Sequence, residues 1–407
     1  MRLPIVFICM TIVLDAMGIG LIMPVMPDLL QEVAGADLSE AAIWGGLLTV
    51  VFAVAQFMFG PLLGSLSDRY GRRPVLLISL AIMVVDYVIM VFASTIWMLL
   101  IARIAHGITA ATHSTANAYM ADISEPEKKA QNFGLIGASF GIGFILGPLI
   151  GGLLADFGPR APFVAAAGLT VLNLILGFFA LPETVTEKTR RAFDIRRANP
   201  LVALAKVREL PGTGRLLLVS FLMSMAFFVY PTVWAYYGVA TFGWDPSMIG
   251  ISLAVYGLAS AVVQGLLMRH IVPRFGEMRI AILGLTLEVG SFIAFALAFE
   301  TWHVFAIILA TSLGVMTQPA VQALLSRAVP DNAQGELQGV TSSLQAIAAI
   351  LSPLIMTQSF GWFTSPGAPI HLPGAPFLIS AGMMVVALIA ILGWRRSQVA
   401  TAMQAGD

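Results

Sequence analysis

Stretches of about 20 apolar residues, each able to cross a hydrocarbon layer as one helix, limit this chain more than any other feature. Twelve can be placed, near residues 5–27, 42–64, 74–93, 96–120, 132–156, 161–181, 213–241, 247–271, 278–299, 302–326, 336–360 and 377–394. Every backbone amide in lipid needs an internal partner, so a spanning segment must be a helix or part of a closed barrel. The period-two alternation of a barrel is absent. Composition agrees: 58% of the 407 residues are hydrophobic and 11% charged, against about half and a quarter in a soluble domain. The expected fold is an all-α membrane protein with twelve transmembrane helices.

The first span does not read as a cleaved signal peptide. It is too long, carries Asp15 and prolines, and has no clear small-residue cleavage site. Cys9 is the single cysteine, which excludes a disulfide and a cysteine-based metal cluster. The net charge is zero, and the placement of Lys and Arg says more. With the N-terminus inside, the inner loops hold Arg69, Arg72, Arg73, Lys128, Lys129, Arg269, Arg274, Arg279 and Arg327. The central connection, the N-terminus and the tail add Lys188, Arg190, Arg191, Arg196, Arg197, Lys206, Arg208, Arg215, Arg2, Arg395 and Arg396. The outer loops hold only Arg160. This asymmetry predicts cytoplasmic termini.

Residues 182–212 are charged and rich in helix breakers. They predict an N-terminal six-helix bundle over 1–181, a cytoplasmic linker over 182–212, a C-terminal six-helix bundle over 213–394 and a cytoplasmic tail over 395–407. An internal repeat supports the division. At an offset of 205 residues, ILGPLI at 145–150 meets ILSPLI at 350–355. Arg69, Gly71 and Gly134 meet Arg274, Gly276 and Gly339. Two pseudo-symmetric bundles with a cavity between them suit alternating access.

Several motifs stand out. GSLSDRYGRRP, residues 64–74, is expected in the loop between spans 2 and 3. There Gly64 would allow close helix contact, Gly71 a tight turn and Pro74 a helix start. Asp68 would accept from a helix N-terminus or pair with a basic residue. In GASFGIGFILGPLIGG, residues 137–152, Gly143, Gly147 and Gly151 recur every four residues. They leave a nearly bare face for close packing, and Pro148 predicts a kink. LDAMGIGLIMPVMP (14–27) and ARIAHG (102–107) complete the set.

These motifs resemble those of the major facilitator superfamily, within it the twelve-helix drug–proton antiporters, and most of all the tetracycline efflux proteins. AYMADIS (118–124), APFVAAAG (161–168), LPE (181–183), WDPSMIGISL (244–253) and ALLSR with QGELQG (323–327 and 334–339) carry that narrower likeness. The resemblance implies a conformational latch made of Gly64, Asp68, Arg69, Gly71, Arg72, Arg73 and Asp122, with Gly143, Gly147, Pro148 and Gly151 as the antiporter motif.

Buried charge points to coupling chemistry. Asp15, Asp86, Arg103 and Glu288 interrupt spans 1, 3, 4 and 9. An acid at the centre of a spanning helix costs about 2.5–3.5 kcal/mol on insertion scales. Burial disfavours an ionised carboxylate and a nearby arginine favours it, so a carboxyl held between the two can trade a proton. Competition between protons and a cationic substrate for these groups would drive export. A structural ion pair is the competing reading for each. The resemblance implies functional roles for Asp15, Asp86 and Arg103.

Arg103, His106, Ala110, His113 and Asn117 repeat at three- or four-residue steps and predict one polar face of span 4. The histidines are either titrating groups or hydrogen-bonded packing residues. Gln56 and Gln264 match family positions that meet the drug or lie near it; ordinary interhelical hydrogen bonds are the alternative. The resemblance also implies a histidine in span 8 and an aspartate in span 9. This chain has Ser260 and Glu288 there.

No GxxxxGK[ST] loop, nucleophile elbow or HExxH pair is present. The expected function is therefore secondary transport, not catalysis: proton-coupled export of tetracycline. A broad multidrug or metabolite exporter of the same fold is the alternative. The expected partners are a small-molecule drug, protons and the lipid bilayer, with no nucleic acid and no obligate protein partner, the chain working as a monomer. No cofactor or resident metal is expected, Mg²⁺ travelling with the drug, and a bacterial inner membrane is implied.

Overall fold

The computed structural model describes residues 3–110, 112–187, 190, 210, 212–330 and 333–404. The basic residues Arg2, Lys188, Arg191, Arg196, Arg197, Lys206 and Arg208 lie outside them. The described residues fold as helices joined by short connections. In chain order these are α1 Leu3–Ile22, α2 Met26–Ala34, α3 Leu38–Tyr70, α4 Arg72–Phe92, α5 Ile96–Thr109, α6 Thr112–Ile123, α7 Lys129–Leu154 and α8 Ala161–Ala180. There follow α9 Gly214–Phe227, α10 Val229–Phe242, α11 Pro246–Val262, α12 Met268–Phe275, α13 Glu277–Ala296 and α14 Thr301–Ser312. The last are α15 Thr317–Arg327, α16 Gln334–Thr364 and α17 Ala375–Gln404.

Eleven helical stretches among the described residues are long and apolar enough to cross a bilayer. The remaining predicted span, 96–120, is met by α5 and α6 on either side of Ala110. Ala110 leaves helical geometry at φ −72°, ψ 62°, so the single continuous helix expected there is two.

Span ends run past the apolar windows because polar residues carry helices into the water. Asp37 starts α3 by accepting from the Glu40 amide at 2.9 Å, as an N-cap carboxylate does. The Ser39 hydroxyl and then that amide hold the Asp37 carboxyl below its usual range. The α3 helix runs on to Tyr70 and α4 begins at Arg72. The expected loop over 64–74 is therefore one residue, Gly71, at φ 116°. A side chain rarely tolerates that conformation.

Two compact units form. One holds α1 to α8 together with Gly243–Gly257, and the other holds α9, α10 and the chain from Leu258. In the first unit, α1 lies directly on α7. A Cβ added to Gly143, Gly147 or Gly151 would strike the Val13, Met17 or Leu21 carbonyl. Pro148 sits inside α7 against Gly20 of α1. Ile5, Phe7, Ile8, Ile12, Leu76, Tyr119, Met120 and Ile136 pack at one end of this unit. Gly64 does not make the expected close contact: no atom lies within 4 Å of where its Cβ would stand.

The second unit is built round aromatic rings. Trp234 stands edge-on to Phe295 at 5.3 Å, and Tyr237 to Phe377 at 4.8 Å. Edge-to-face pairs at such spacing add about 0.5–1.5 kcal/mol beyond the area they bury. Three of its spans depart from regular helix, at Phe228, in a π-turn over Val263–Leu267 and in a 3₁₀ turn over Leu313–Met316.

Candidate functional site

Asp86 sits in the middle of α4 and is 1% exposed. It forms an ion pair with Arg103 of α5. His106, one turn further along α5, places Nδ1 3.0 Å from the same Oδ2. Gly107 brings α5 close to α3, where a Cβ would lie 2.8 Å from Ala55 Cβ. That approach sets Phe52 of α3 over both basic groups. Its ring centroid is 5.8 Å from the Arg103 guanidinium carbon and 5.2 Å from the His106 ring. Arg103 Nη2 also lies 3.7 Å from the Met90 sulfur. Two further polar atoms of the pair, Asp86 Oδ1 and Arg103 Nε, are buried and make no hydrogen bond.

Asp15 enters from α1. Its carboxylate feels the fields of His106 and His113, and Tyr87 of α4 lies within the field of Asp15. The Tyr87 ring fits only because Gly18 has no side chain. Asp15, Asp86, Arg103, His106 and His113 thus converge within one unit. The uniform polar face expected of span 4 does not persist, because the helix is interrupted. Arg103 and His106 serve Asp86, whereas the His113 ring stands edge-on to Phe140 of α7 at 5.8 Å. The Asn117 amide is spent on its own helix, donating to the His113 carbonyl at 2.9 Å. Gln56 donates to the Ala110 carbonyl at 3.3 Å, serving an acceptor that the break releases.

Glu288, Ser260 and Gln264 belong to the second unit. Glu288 is half-buried on α13 against Gly314. Ser260 is 8% exposed with its hydroxyl unpartnered. Gln264 is exposed in the π-turn.

The charged motif at the α3–α4 corner is knit together. Arg72 pairs with Asp68 and, through Nε at 3.2 Å, with Asp122 of α6. Arg69 lies over its neighbour Tyr70. Arg73 donates to the Phe178 carbonyl at 2.6 Å. The Glu183 carboxylate, just past α8, accepts from the Arg72 and Arg73 amides at 2.9 and 3.2 Å. It occupies the space that a side chain on Gly71 would need. Among the described residues, no three His, Cys, Asp or Glu side chains are grouped to hold a metal ion.

The sequence pattern of the Major Facilitator Superfamily matches residues 8–353. The chain belongs to the major facilitator superfamily. It is a multi-pass membrane transporter of small molecules, not an enzyme. It is 39% identical over 389 residues to the class C tetracycline resistance protein of Escherichia coli, covering 95% of this chain and 96% of that protein. It is also 39% identical over 373 residues to the class G protein of Vibrio anguillarum, covering 90% and 94%. The crystal structure of the nucleoside transporter NupG superposes with a TM-score of 0.76 at 14% identity, covering 97% of this chain and 99% of NupG. That likeness speaks for the superfamily fold alone.

Sequence reasoning missed Phe52, Tyr87, Glu183 and Thr184 of this superfamily member. Tyr87 and Phe52 read as ordinary apolar-span residues, and only the folded chain sets them against Arg103, His106 and Asp15. Glu183 carried a signal, a lone acid directly after span 6. The Thr184 hydroxyl donates to Asp122 at 3.0 Å, which ties the end of α8 to the same charge group.

Proposed function

We propose that this transporter exports tetracycline across a bacterial cytoplasmic membrane in exchange for protons, taking the drug as its cationic Mg²⁺ complex. The observation that carries the reading is Asp86, 1% exposed inside a spanning helix and held by Arg103 and His106. A carboxyl between burial and a guanidinium is balanced between charge states. A cation and a proton can therefore compete for it. The carboxylate Asp15 and the imidazoles of His106 and His113 extend the same cluster, and Glu288 takes part in proton coupling in the second unit. Intramembrane ionisable groups of this kind are costly and accompany substrate or proton paths. The kinship to tetracycline resistance proteins supports the cargo. The chain works as a monomer with cytoplasmic termini, needs no resident cofactor, and uses Gln56, Gln264, Ser260 and Asn117 around the drug.

Drug-triggered proton movement in inside-out vesicles tests this reading. Tetracycline with Mg²⁺ is added first and an unrelated cationic dye second, with Asp86→Asn as the control. Proton release with tetracycline, absent in the variant, is the expected result. Release with both compounds would make the protein a broad exporter. No release with either, at normal membrane levels, would overturn the assignment.

A further inference from the structure

The two members of the Asp86–Arg103 pair have unlike surroundings. On the acid, Oδ2 meets both Arg103 and His106, while Oδ1 is buried and accepts no hydrogen bond. On the base, no second oxygen takes the guanidinium among the described residues. Nε is buried without a partner, and Nη2 meets the Met90 sulfur at 3.7 Å. Met90 stands one turn beyond Asp86 on α4 and is 1% exposed. The Phe52 ring of α3 lies with its centroid 5.8 Å from the guanidinium carbon. Both of these further partners are soft. A thioether is a weak acceptor, and an aromatic face attracts a cation through its quadrupole.

The ring is held in place by the backbone. A Cβ on Gly107 would stand 2.6 Å from the Phe52 carbonyl oxygen and 3.2 Å from its Cα, so only glycine lets α5 come this near to Phe52. His106 braces the ring from the side, edge-on at 5.2 Å. The distance from ring to guanidinium is at the outer edge of the range in which a face attracts a cation, about 6 Å. The carboxylate holds the guanidinium there. A guanidinium released by it has the ring and the sulfur to move onto.

Release is what exchange demands. When a proton or a cation takes the Asp86 carboxylate, Arg103 is left as a buried charge without its counter-ion, which is the costly part of opening such a pair. We infer that Phe52 is a positioning residue for Arg103, its ring face and the Met90 sulfur forming the second seat to which the guanidinium passes when Asp86 engages its exchange partner. Weakening that seat keeps Arg103 on Asp86, and the drug then competes less well for the carboxylate. The inference rests on the reading of Asp86 as the group that protons and drug share.

Initial rates of tetracycline uptake with Mg²⁺ by inside-out vesicles, normalised to membrane protein, test it. Mono-, di- and trifluorophenylalanine in place of Phe52 keep the shape of the ring and drain its face in steps. KM rises at each step, by about tenfold over the series, while the maximal rate and the melting temperature in detergent stay near those of the parent. Met90→Leu keeps the volume and removes the sulfur. Met90 is buried away from any drug, so the smaller rise in KM expected there passes through Arg103. A flat KM across the series, a parent KM in Met90→Leu, or melting that falls in step with fluorination overturns the inference. So does a fluorination series that persists in calorimetric drug binding by Arg103→Ala, because with no cation to seat the drug itself would lie on the ring. Asp86→Asn separates the two levels. Full drug-triggered proton movement in that variant overturns the exchange role of Asp86 itself. An inactive Asp86→Asn beside a flat series overturns the seat alone.

Discussion

Asp86 and Arg103 pair directly inside the first unit, with His106 Nδ1 3.0 Å from the same carboxylate oxygen. Removing one partner of a buried pair strands the other charge and costs about 3–5 kcal/mol. Arg103→Ala should therefore abolish export and lower thermal stability in detergent. The double variant Asp86→Asn with Arg103→Ala should recover most of that stability and none of the export. Thermal unfolding beside drug transport checks both. Full stability in Arg103→Ala would show that the pair carries no structural weight.

Glu183 couples the end of α8 to the start of α4, and Gly71 makes the contact possible. Gly71→Ala asks an L-residue to adopt φ 116° and pushes a methyl group into the Glu183 carboxylate. The backbone strain alone is about 1–3 kcal/mol. Glu183→Gln keeps the shape and weakens its charge-assisted bonds to the Arg72 and Arg73 amides. Asp68→Asn loses the Arg72 pair. Both carboxylate changes should slow turnover more than they weaken drug binding, measured as transport rate against equilibrium binding. An unchanged rate in either would remove that carboxylate from the conformational machinery.

Helix count and motif placement were legible because apolar length and glycine spacing are local properties. Gly143, Gly147 and Gly151 meet α1 as their four-residue period implies. The break at Ala110 was not legible. Alanine is the best helix former, and the residues beside it, ITAAT at 108–112, hold no glycine or proline to mark a stop. Helix ends were also misplaced, since Leu38–Tyr70 extends through Asp68 and Arg69, which a hydropathy window discards. Gly64 was read as a contact from its motif, but space on the folded surface decides that. Cost alone implied that Asp86 and Arg103 would turn away from lipid, but their pairing stood as one alternative among several, because no single segment names a partner across the bundle. The seat of Tyr87 over Gly18 is a tertiary contact between spans, and no single segment encodes it.

The glycines of α7 make an internally controlled comparison. Gly147→Ala would set a methyl group against the Met17 backbone, and backbone cannot rotate away. Overpacking of this kind costs about 1–3 kcal/mol, so membrane abundance and melting temperature should fall. Gly141→Ala meets no atom within 4 Å and replaces a poor helix former with a good one. It should melt at or slightly above the parent temperature. Equal melting of the two variants would refute the close α1–α7 approach.

Gln56 has a structural duty that precedes any contact with drug. Its amide donates to the Ala110 carbonyl at 3.3 Å, where the interrupted span leaves that carbonyl without a helical partner. Gln56→Met keeps the length and removes the donor. A neutral hydrogen bond is worth about 0.5–1.5 kcal/mol net, so a modest drop in melting temperature is expected. The larger effect should fall on the break, which positions His106 on one side and His113 on the other. Drug binding should therefore weaken in Gln56→Met, while Gln56→Asn keeps a donor that is one methylene too short and falls between the two. Calorimetric binding beside thermal melts separates the duties. Weakened binding with unchanged melting would make Gln56 a drug contact, and the converse would make it the clasp of the broken span.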